Sequence, residues 1–136
     1  MPLKLDVGEE GFNVVLRPYQ VEALRYLWAS PDDGRSSREV WEAVCDALPD
    51  GKSISRASII NTLNALVEDG VLGFHKITGK GGYTRIYKSV YDESGFKQYI
   101  VDTVVMKLLR EFPDETSKTL QKAIQPCSYR YPFFIG

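Results

Sequence analysis

The feature that most constrains the fold of this chain is a change of hydrophobic period at Gly70. Before Gly70 the apolar residues recur every three or four positions, which is typical of an amphipathic helix. After it, residues 71–77 and 83–88 are rich in β-branched and aromatic side chains with a period near two, which predicts two strands. The glycine-rich segment 78–82 between them predicts a flexible hairpin tip. The sequence therefore predicts a helix that leads directly into a β-hairpin.

Two further helices are predicted upstream. The first begins at Pro18, because proline suits the first turn of a helix, and residues 30–34 end it with turn chemistry. Its apolar residues are Val21, Leu24, Leu27 and Trp28. The second begins where Ser36 and Glu39 have the spacing of a capping box, and residues 49–51 close it. Its apolar stripe comprises Val40, Trp41, Val44, Cys45 and Leu48.

The third helix begins at Ser53 or Ser55, since both are good N-caps. Gly70 stands where helices commonly end in a left-handed residue. The predicted buried stripe comprises Ile59, Leu63, Leu66 and Val67. The opposite side then carries small and hydrogen-bonding residues, namely Arg56, Ala57, Ser58, Asn61, Asn64 and Ala65.

A long helical region follows the hairpin. Residues 92–94 cap a fourth helix of about 18 residues, which Pro113 ends, and a shorter helix is predicted from about 115 to 124. The apolar residues of the fourth helix are Phe96, Ile100, Val101, Val104, Val105, Leu108, Leu109 and Phe112. The tail 128–136 is aromatic without a period, and residues 1–15 predict an arm or a short edge strand.

This order of elements predicts the fold class. We expect a mainly α protein with a small antiparallel β-hairpin (α+β), a winged helix-turn-helix with C-terminal dimerisation helices. The predicted domains are a winged-helix DNA-binding domain over 1–90 and a C-terminal helical dimerisation region with its tail over 91–136. In such a fold the third helix enters the major groove of DNA, and the hairpin, or wing, lies beside it.

The distribution of charge agrees with a nucleic-acid partner better than the net charge of −1 does. Residues 1–51 carry five Lys/Arg and ten Asp/Glu, whereas residues 52–88 carry six Lys/Arg and two Asp/Glu. The middle of the chain is therefore a basic segment of net charge +4 in an acidic chain. Because the local field decides whether a face attracts phosphate, this segment is the candidate DNA surface.

The predicted DNA-binding residues are Ser55, Arg56, Ser58, Asn61 and Asn64 from the third helix and Lys76, Thr78, Lys80, Tyr83 and Arg85 from the hairpin. Asparagine can form two hydrogen bonds with adenine, and arginine can bind guanine or phosphate. The hairpin cations would supply affinity that does not depend on sequence. The alternatives are an ordinary solvated helix face and an ordinary polar hairpin loop.

Three stretches of the chain resemble the penicillinase-repressor family of winged-helix transcriptional regulators, with an archaeal branch as one candidate. They are residues 18–28, 37–41 and 59–72, and 85–87 fit the returning wing strand of that family. The resemblance covers about residues 16–112. It implies a dimeric repressor whose C-terminal helices form the dimer.

The fourth helix independently favours a dimer, because its apolar stripe is wider than one contact surface needs. One side can pack on the winged domain, and the other can pack on the same helix of a second subunit. A homodimer would bind a pseudo-palindromic site. The alternative is a helix buried within its own chain and covered by the tail.

Other classes of function find little support in the sequence. His75 is the single histidine, Cys45 and Cys127 do not have metal-ligand spacing, and no nucleophile or phosphate-loop motif is present. We therefore expect no enzyme, no cofactor and no metal site. No apolar run could cross a bilayer and the first residues do not resemble a signal peptide, which predicts a cytoplasmic protein without a membrane partner.

The predicted function is that of a sequence-specific regulator, in particular a repressor, that binds double-stranded DNA as a homodimer. One alternative is a winged-helix module of a larger complex that does not bind DNA and uses its acidic first third to contact a protein. A third interpretation, a redox or ligand sensor, would use Cys45 or Cys127.

Overall fold

A computed structural model describes residues 2–30 and 33–124 of the chain. The predictions for Pro31 and Asp32 in the first turn, for Cys127 and for the tail 128–136 lie outside the described residues. The chain forms two compact units, of which the first ends at Phe96 and the second begins at Lys97.

Three helices of the first unit begin where the sequence predicts. They are α1 (Pro18–Trp28), α2 (Ser37–Ala47) and α3 (Arg56–Glu68). The capping box of α2 is present, since the Glu39 amide donates to Ser36 Oγ at 3.2 Å and the Ser36 amide donates to Glu39 Oε1 at 3.0 Å. Ser55, and not Ser53, caps α3, with its Oγ accepting from the Ser58 amide at 3.1 Å.

The sheet has three antiparallel strands in the order β1-β3-β2, with β1 at Arg35–Ser36, β2 at Leu72–Gly79 and β3 at Gly82–Ser89. The predicted hairpin is confirmed as β2 and β3, joined by a two-residue loop at 80–81. β1 has no signal of its own in the sequence, because two residues cannot show an alternation.

Close packing of the turn before β1 depends on Gly34. This buried residue has φ +83°, and a Cβ atom there would lie 2.6 Å from the backbone oxygen of Tyr87 in β3. Only glycine combines that backbone conformation with so close an approach. Gly34 therefore allows β1 to join the edge of the hairpin.

The core lies between the three helices and the base of the hairpin. Its fully buried side chains include Leu24 of α1, Val40 and Val44 of α2, and Ile59, Leu63 and Leu66 of α3. Three helices followed by a hairpin that a third short strand joins form a winged helix, so the predicted mainly α fold with a small antiparallel sheet is confirmed. The buried face of α3 differs in one place from the prediction, since Val67 is half-exposed and Thr62 is buried.

Thr62 is buried because α1 supplies polar partners for it. Gln20 Nε2 donates to Thr62 Oγ1 at 3.4 Å, and the Tyr19 hydroxyl lies 3.5 Å from the same oxygen. Trp41 likewise joins two elements, since its indole nitrogen donates to the Ile54 carbonyl at 2.8 Å just before α3. These contacts position α3 on α1 and α2.

The N-terminal residues form an arm rather than an edge strand. The Lys4 amide donates to the Val15 carbonyl at 3.0 Å, and a short 3-10 helix (Gly11–Val14) precedes α1. This turn places the ring of Phe12 5.5 Å from that of Trp28 and 6.0 Å from that of Phe96.

Phe96 is a core residue, which corrects its assignment to the predicted dimer interface. Its side chain is 0% exposed, and its ring packs 5.8 Å from Trp28 within the first unit. A side chain that its own unit covers completely cannot contact a second subunit. Phe96 is also the last residue of the first unit.

The second unit contains most of α4 (Glu93–Glu111) and α5 (Pro113–Ile124). Pro113 ends α4 as predicted and is also the first residue of α5, which begins two residues earlier than the sequence indicates. None of the described residues 97–124 is buried. The exposed apolar residues of this unit are Val101, Met106, Leu108, Phe112, Leu120 and Ile124. In the described part of the chain, the helices are too short or too polar to span a bilayer.

Candidate nucleic-acid interface

The exposed side of α3 presents hydrogen-bonding groups. Arg56 and Asn61 are exposed, and neither has a hydrogen-bond or ion-pair partner among the described residues. At the start of the helix the hydroxyl groups of Ser55 and Ser58 lie 2.9 Å apart, and Ser55 already accepts from the helix backbone. Asn61 is therefore the residue of this helix whose whole amide is free to pair with a base edge.

All four predicted wing residues of the strands lie on one face of the hairpin. In the register of β2 and β3, Lys76 is opposite Arg85 and Thr78 is opposite Tyr83. Residues directly opposite in an antiparallel pair project to the same side of the sheet. We call this side the cationic face. It contains the pairs Leu72–Ser89, Phe74–Tyr87, Lys76–Arg85 and Thr78–Tyr83.

Aromatic rings support the cations of this face. The ammonium of Lys76 lies 4.2 Å from the ring centre of Tyr83, and the guanidinium of Arg85 lies 4.1 Å from that of Phe74. Such contacts contribute about 0.5–1 kcal/mol each when exposed. They hold the side chains of Lys76 and Arg85 against this face of the sheet.

Asn64 connects the cationic face with α3. Its Oδ1 accepts hydrogen bonds from the Tyr87 hydroxyl at 2.6 Å and from Arg85 Nη1 at 3.2 Å. Burial raises the pKa of Tyr87 above its ordinary value, although the neighbouring Arg85 acts in the opposite direction. The hydroxyl of Tyr87 therefore stays protonated near neutral pH and can donate to Asn64. The contact means that the cationic face is the side of the wing next to α3.

The opposite face of the hairpin contains His75, Ile77, Thr84, Ile86 and Lys88. Lys88 is exposed there, so the two faces of one hairpin each carry an exposed lysine. At the tip, Lys80 is exposed and has no partner among the described residues, and φ is +83° at Gly81 and +125° at Gly82.

The predicted site residues thus fall into two groups. Arg56, Asn61, Thr78 and Lys80 have no side-chain partner among the described residues, whereas the side chains of Ser55, Ser58, Asn64, Lys76, Tyr83 and Arg85 contact each other or their neighbours. The sequence-based prediction missed Phe74 and Tyr87. Their positions could have been found from strand alternation, because both have the parity of Lys76 and Arg85.

A groove of about 640 Å³ lies on the other flank of α3, between the helix and the N-terminal arm. Ser58, Asn61 and Ala65 line it from α3. The arm and the start of α1 contribute Lys4, Asp6, Glu9 and Arg17, among other residues. Because charges of both signs line it, its electrostatics favour no single class of ligand.

Comparisons with known proteins do not assign the chain to a family. No model of a protein family matches it, and no curated protein matches it. The resemblance to the penicillinase-repressor family therefore gains no support from them.

Among solved structures, the crystal structure of Bacillus subtilis PadR in complex with operator DNA is similar to this chain, with 17% identity and a TM-score of 0.42. The match covers 86% of this chain and 83% of that one. A similarity of this extent is too slight to carry an inference about function.

Proposed function

We propose that this protein is a sequence-specific DNA-binding transcriptional regulator, in particular a repressor, that acts by binding and not by catalysis. One observation carries the proposal. The cationic face of the wing is joined to α3 through Asn64, so the exposed side of α3 and the positive charges of the wing lie on one side of the first unit. A duplex bound to that side would meet both together.

The residues divide into two roles in this proposal. α3 lies in the major groove, where Asn61 contacts a base edge and Arg56 a guanine or a phosphate near the start of the helix. Lys76 and Lys80 bind phosphates beside the groove and supply affinity that does not depend on sequence. Arg85 positions the wing, because its guanidinium is already held by Asn64 and the ring of Phe74.

We further propose that two copies bind together through the second unit. Three apolar side chains of the predicted interface are exposed. They are Val101 (55%) and Leu108 (36%) of α4 and Phe112 (57%), which directly follows α4. Soluble proteins rarely leave such apolar side chains clustered in water unless they have a partner. Two copies of α4 packed together would cover them and would present two α3 helices to a pseudo-palindromic site.

The test is binding of the full chain to duplex DNA, including the DNA upstream of its own gene, as a function of salt. We expect affinity to fall steeply with salt. Lys80→Ala should weaken all duplexes alike and should reduce the slope of log affinity against log salt by about one for each phosphate that is no longer neutralised. Absence of DNA binding at low salt would refute the proposal and favour a protein-interaction module.

A further inference from the structure

The amide of Asn64 has one end fixed and the other end open. Its oxygen accepts from both Tyr87 and Arg85, at 2.6 Å and 3.2 Å. Its nitrogen has no partner among the described residues and is not a buried, unsatisfied atom. Asn64 is half-exposed, so this nitrogen can reach a ligand from outside.

The orientation of this amide follows from the chemistry of its neighbours. A guanidinium group has hydrogen-bond donors and no acceptor, so the atom of Asn64 that faces Arg85 must be the oxygen. The Tyr87 hydroxyl donates to the same oxygen, and the ring of Phe74 holds the guanidinium in place. Rotation of the amide by half a turn would set N–H groups against the guanidinium and lose the hydrogen bond from Arg85.

An asparagine whose oxygen is occupied is no longer suited to adenine. The two-bond contact with adenine needs the amide oxygen as acceptor for N6 and the amide nitrogen as donor to N7. Asn64 retains the donor alone, which matches O6 of guanine or O4 of thymine, whereas the corresponding group of adenine is the N6 amino donor. Asn61, one turn earlier on the exposed side of α3, keeps both groups free.

We propose that Asn64 is a specificity-determining residue that donates to guanine or thymine in the major groove, while Asn61 contacts adenine. This inference rests on the proposed function. The two residues are three positions apart on α3, a rise of about 4.5 Å, so they would contact neighbouring base pairs. The wing contacts thus set the base preference of α3 by fixing one amide.

The experiment is selection of binding sites from a randomised duplex library by the full-length protein and by three variants. Asn64→Ala identifies the position that Asn64 contacts, because preference should disappear there alone. At that position the wild type should prefer guanine or thymine by roughly 5- to 150-fold over the other bases.

The sharpest variant is Asn64→Asp. A carboxylate still accepts from Tyr87 and Arg85, so the wing stays in place, but it has no N–H group. The preference at that position should move to cytosine or adenine, whose N4 and N6 amino groups are donors. Unchanged thermal unfolding of this variant would show that the fold is intact, and Asn61→Ala should instead remove an adenine preference at a neighbouring position.

Each contrary outcome has its own meaning. The assignment of Asn64 is wrong if Asn64→Ala changes no base preference. It is also wrong if the wild type prefers adenine at the position where Asn64→Ala has lost its preference. In both cases the DNA-binding function stands. If the wild type enriches no sequence and binds no duplex at low salt, the function and this inference fail together.

Discussion

Two separate variants, each replacing one lysine of the wing by alanine, test which face of the wing contacts DNA. Lys76 and Lys88 are both exposed lysines of the same hairpin, but Lys76 lies on the cationic face and Lys88 on the other. We expect Lys76→Ala to weaken DNA binding and Lys88→Ala to leave it almost unchanged. The two variants remove the same charge, so a difference between them reports position and not net charge.

The expected size follows from counterion release. Each neutralised phosphate contributes about 0.9 to the slope of log affinity against log salt. In the proposed dimer, Lys76→Ala would neutralise two phosphates fewer, so the slope should be smaller by about 1.8. Between about 50 and 200 mM salt the affinity of the wild type should therefore fall by a factor about 12 times larger than that of Lys76→Ala. Removal of the cation–π pair between Lys76 and the Tyr83 ring costs at most about 1 kcal/mol of stability, so the variant should remain folded.

Fluorescence anisotropy with a labelled duplex at several salt concentrations measures these slopes directly. Equal slopes for Lys76→Ala and Lys88→Ala would refute the assignment of the cationic face. A changed base preference in Lys76→Ala, with the slope unaffected, would show that Lys76 contacts a base and not a phosphate.

Four further predictions concern other parts of the protein. Asn61→Ala should weaken binding to a selected site by about 1–3 kcal/mol and leave a scrambled duplex unaffected; equal effects on both would contradict its role. Val101→Asp should halve the mass measured by light scattering. Met106 is equally exposed but lies about 140° away around α4, so Met106→Asp should leave the mass unchanged. A dimer that persists in Val101→Asp would exclude this interface. Phe96→Ala should lower the free energy of unfolding by about 3–5 kcal/mol in denaturant titrations, and a change near zero would contradict its burial. The pKa of Tyr87 is raised above 10.0 in the folded protein, so the stability that this shift contributes is complete below pH 10.0 and is lost as pH rises through the folded pKa. The free energy of unfolding of Tyr87→Phe should therefore fall less than that of the wild type between pH values of about 8 and 11.

Local signals in the sequence predicted most of the helices and the wing. Pro18 and the pair Ser36 and Glu39 marked two helix starts because proline and capping boxes act within one turn of chain. The change of period at Gly70 marked the transition from α3 to β2, where φ of Gly70 is +81°. These features depend on neighbours within about four residues, which a sequence shows directly.

Contacts between distant residues could not be predicted in this way. Thr62 is buried because Gln20, 42 positions away, supplies a polar partner. β1 exists because Arg35 and Ser36 pair with β3 across about fifty residues. Neither segment has a pattern of its own that would indicate these partners.

The candidate site shows the same division. Composition identified Asn61, Asn64 and the wing cations, but it could not show that the oxygen of Asn64 is occupied by Tyr87 and Arg85. For the fourth helix, an apolar stripe is the same whether its own unit or a second subunit covers it. Phe96 was therefore assigned to the interface, although the rings of Phe12 and Trp28 cover it.

The most direct test of the central claim is an NMR titration of ¹⁵N-labelled protein with a short duplex at low salt. One duplex should shift the signals of Asn61 in α3 and of Lys76 and Tyr83 on the cationic face together, with little effect on His75 and Lys88 on the opposite face. Shifts confined to one of the two elements, or located mainly on the opposite face of the wing, would contradict the account.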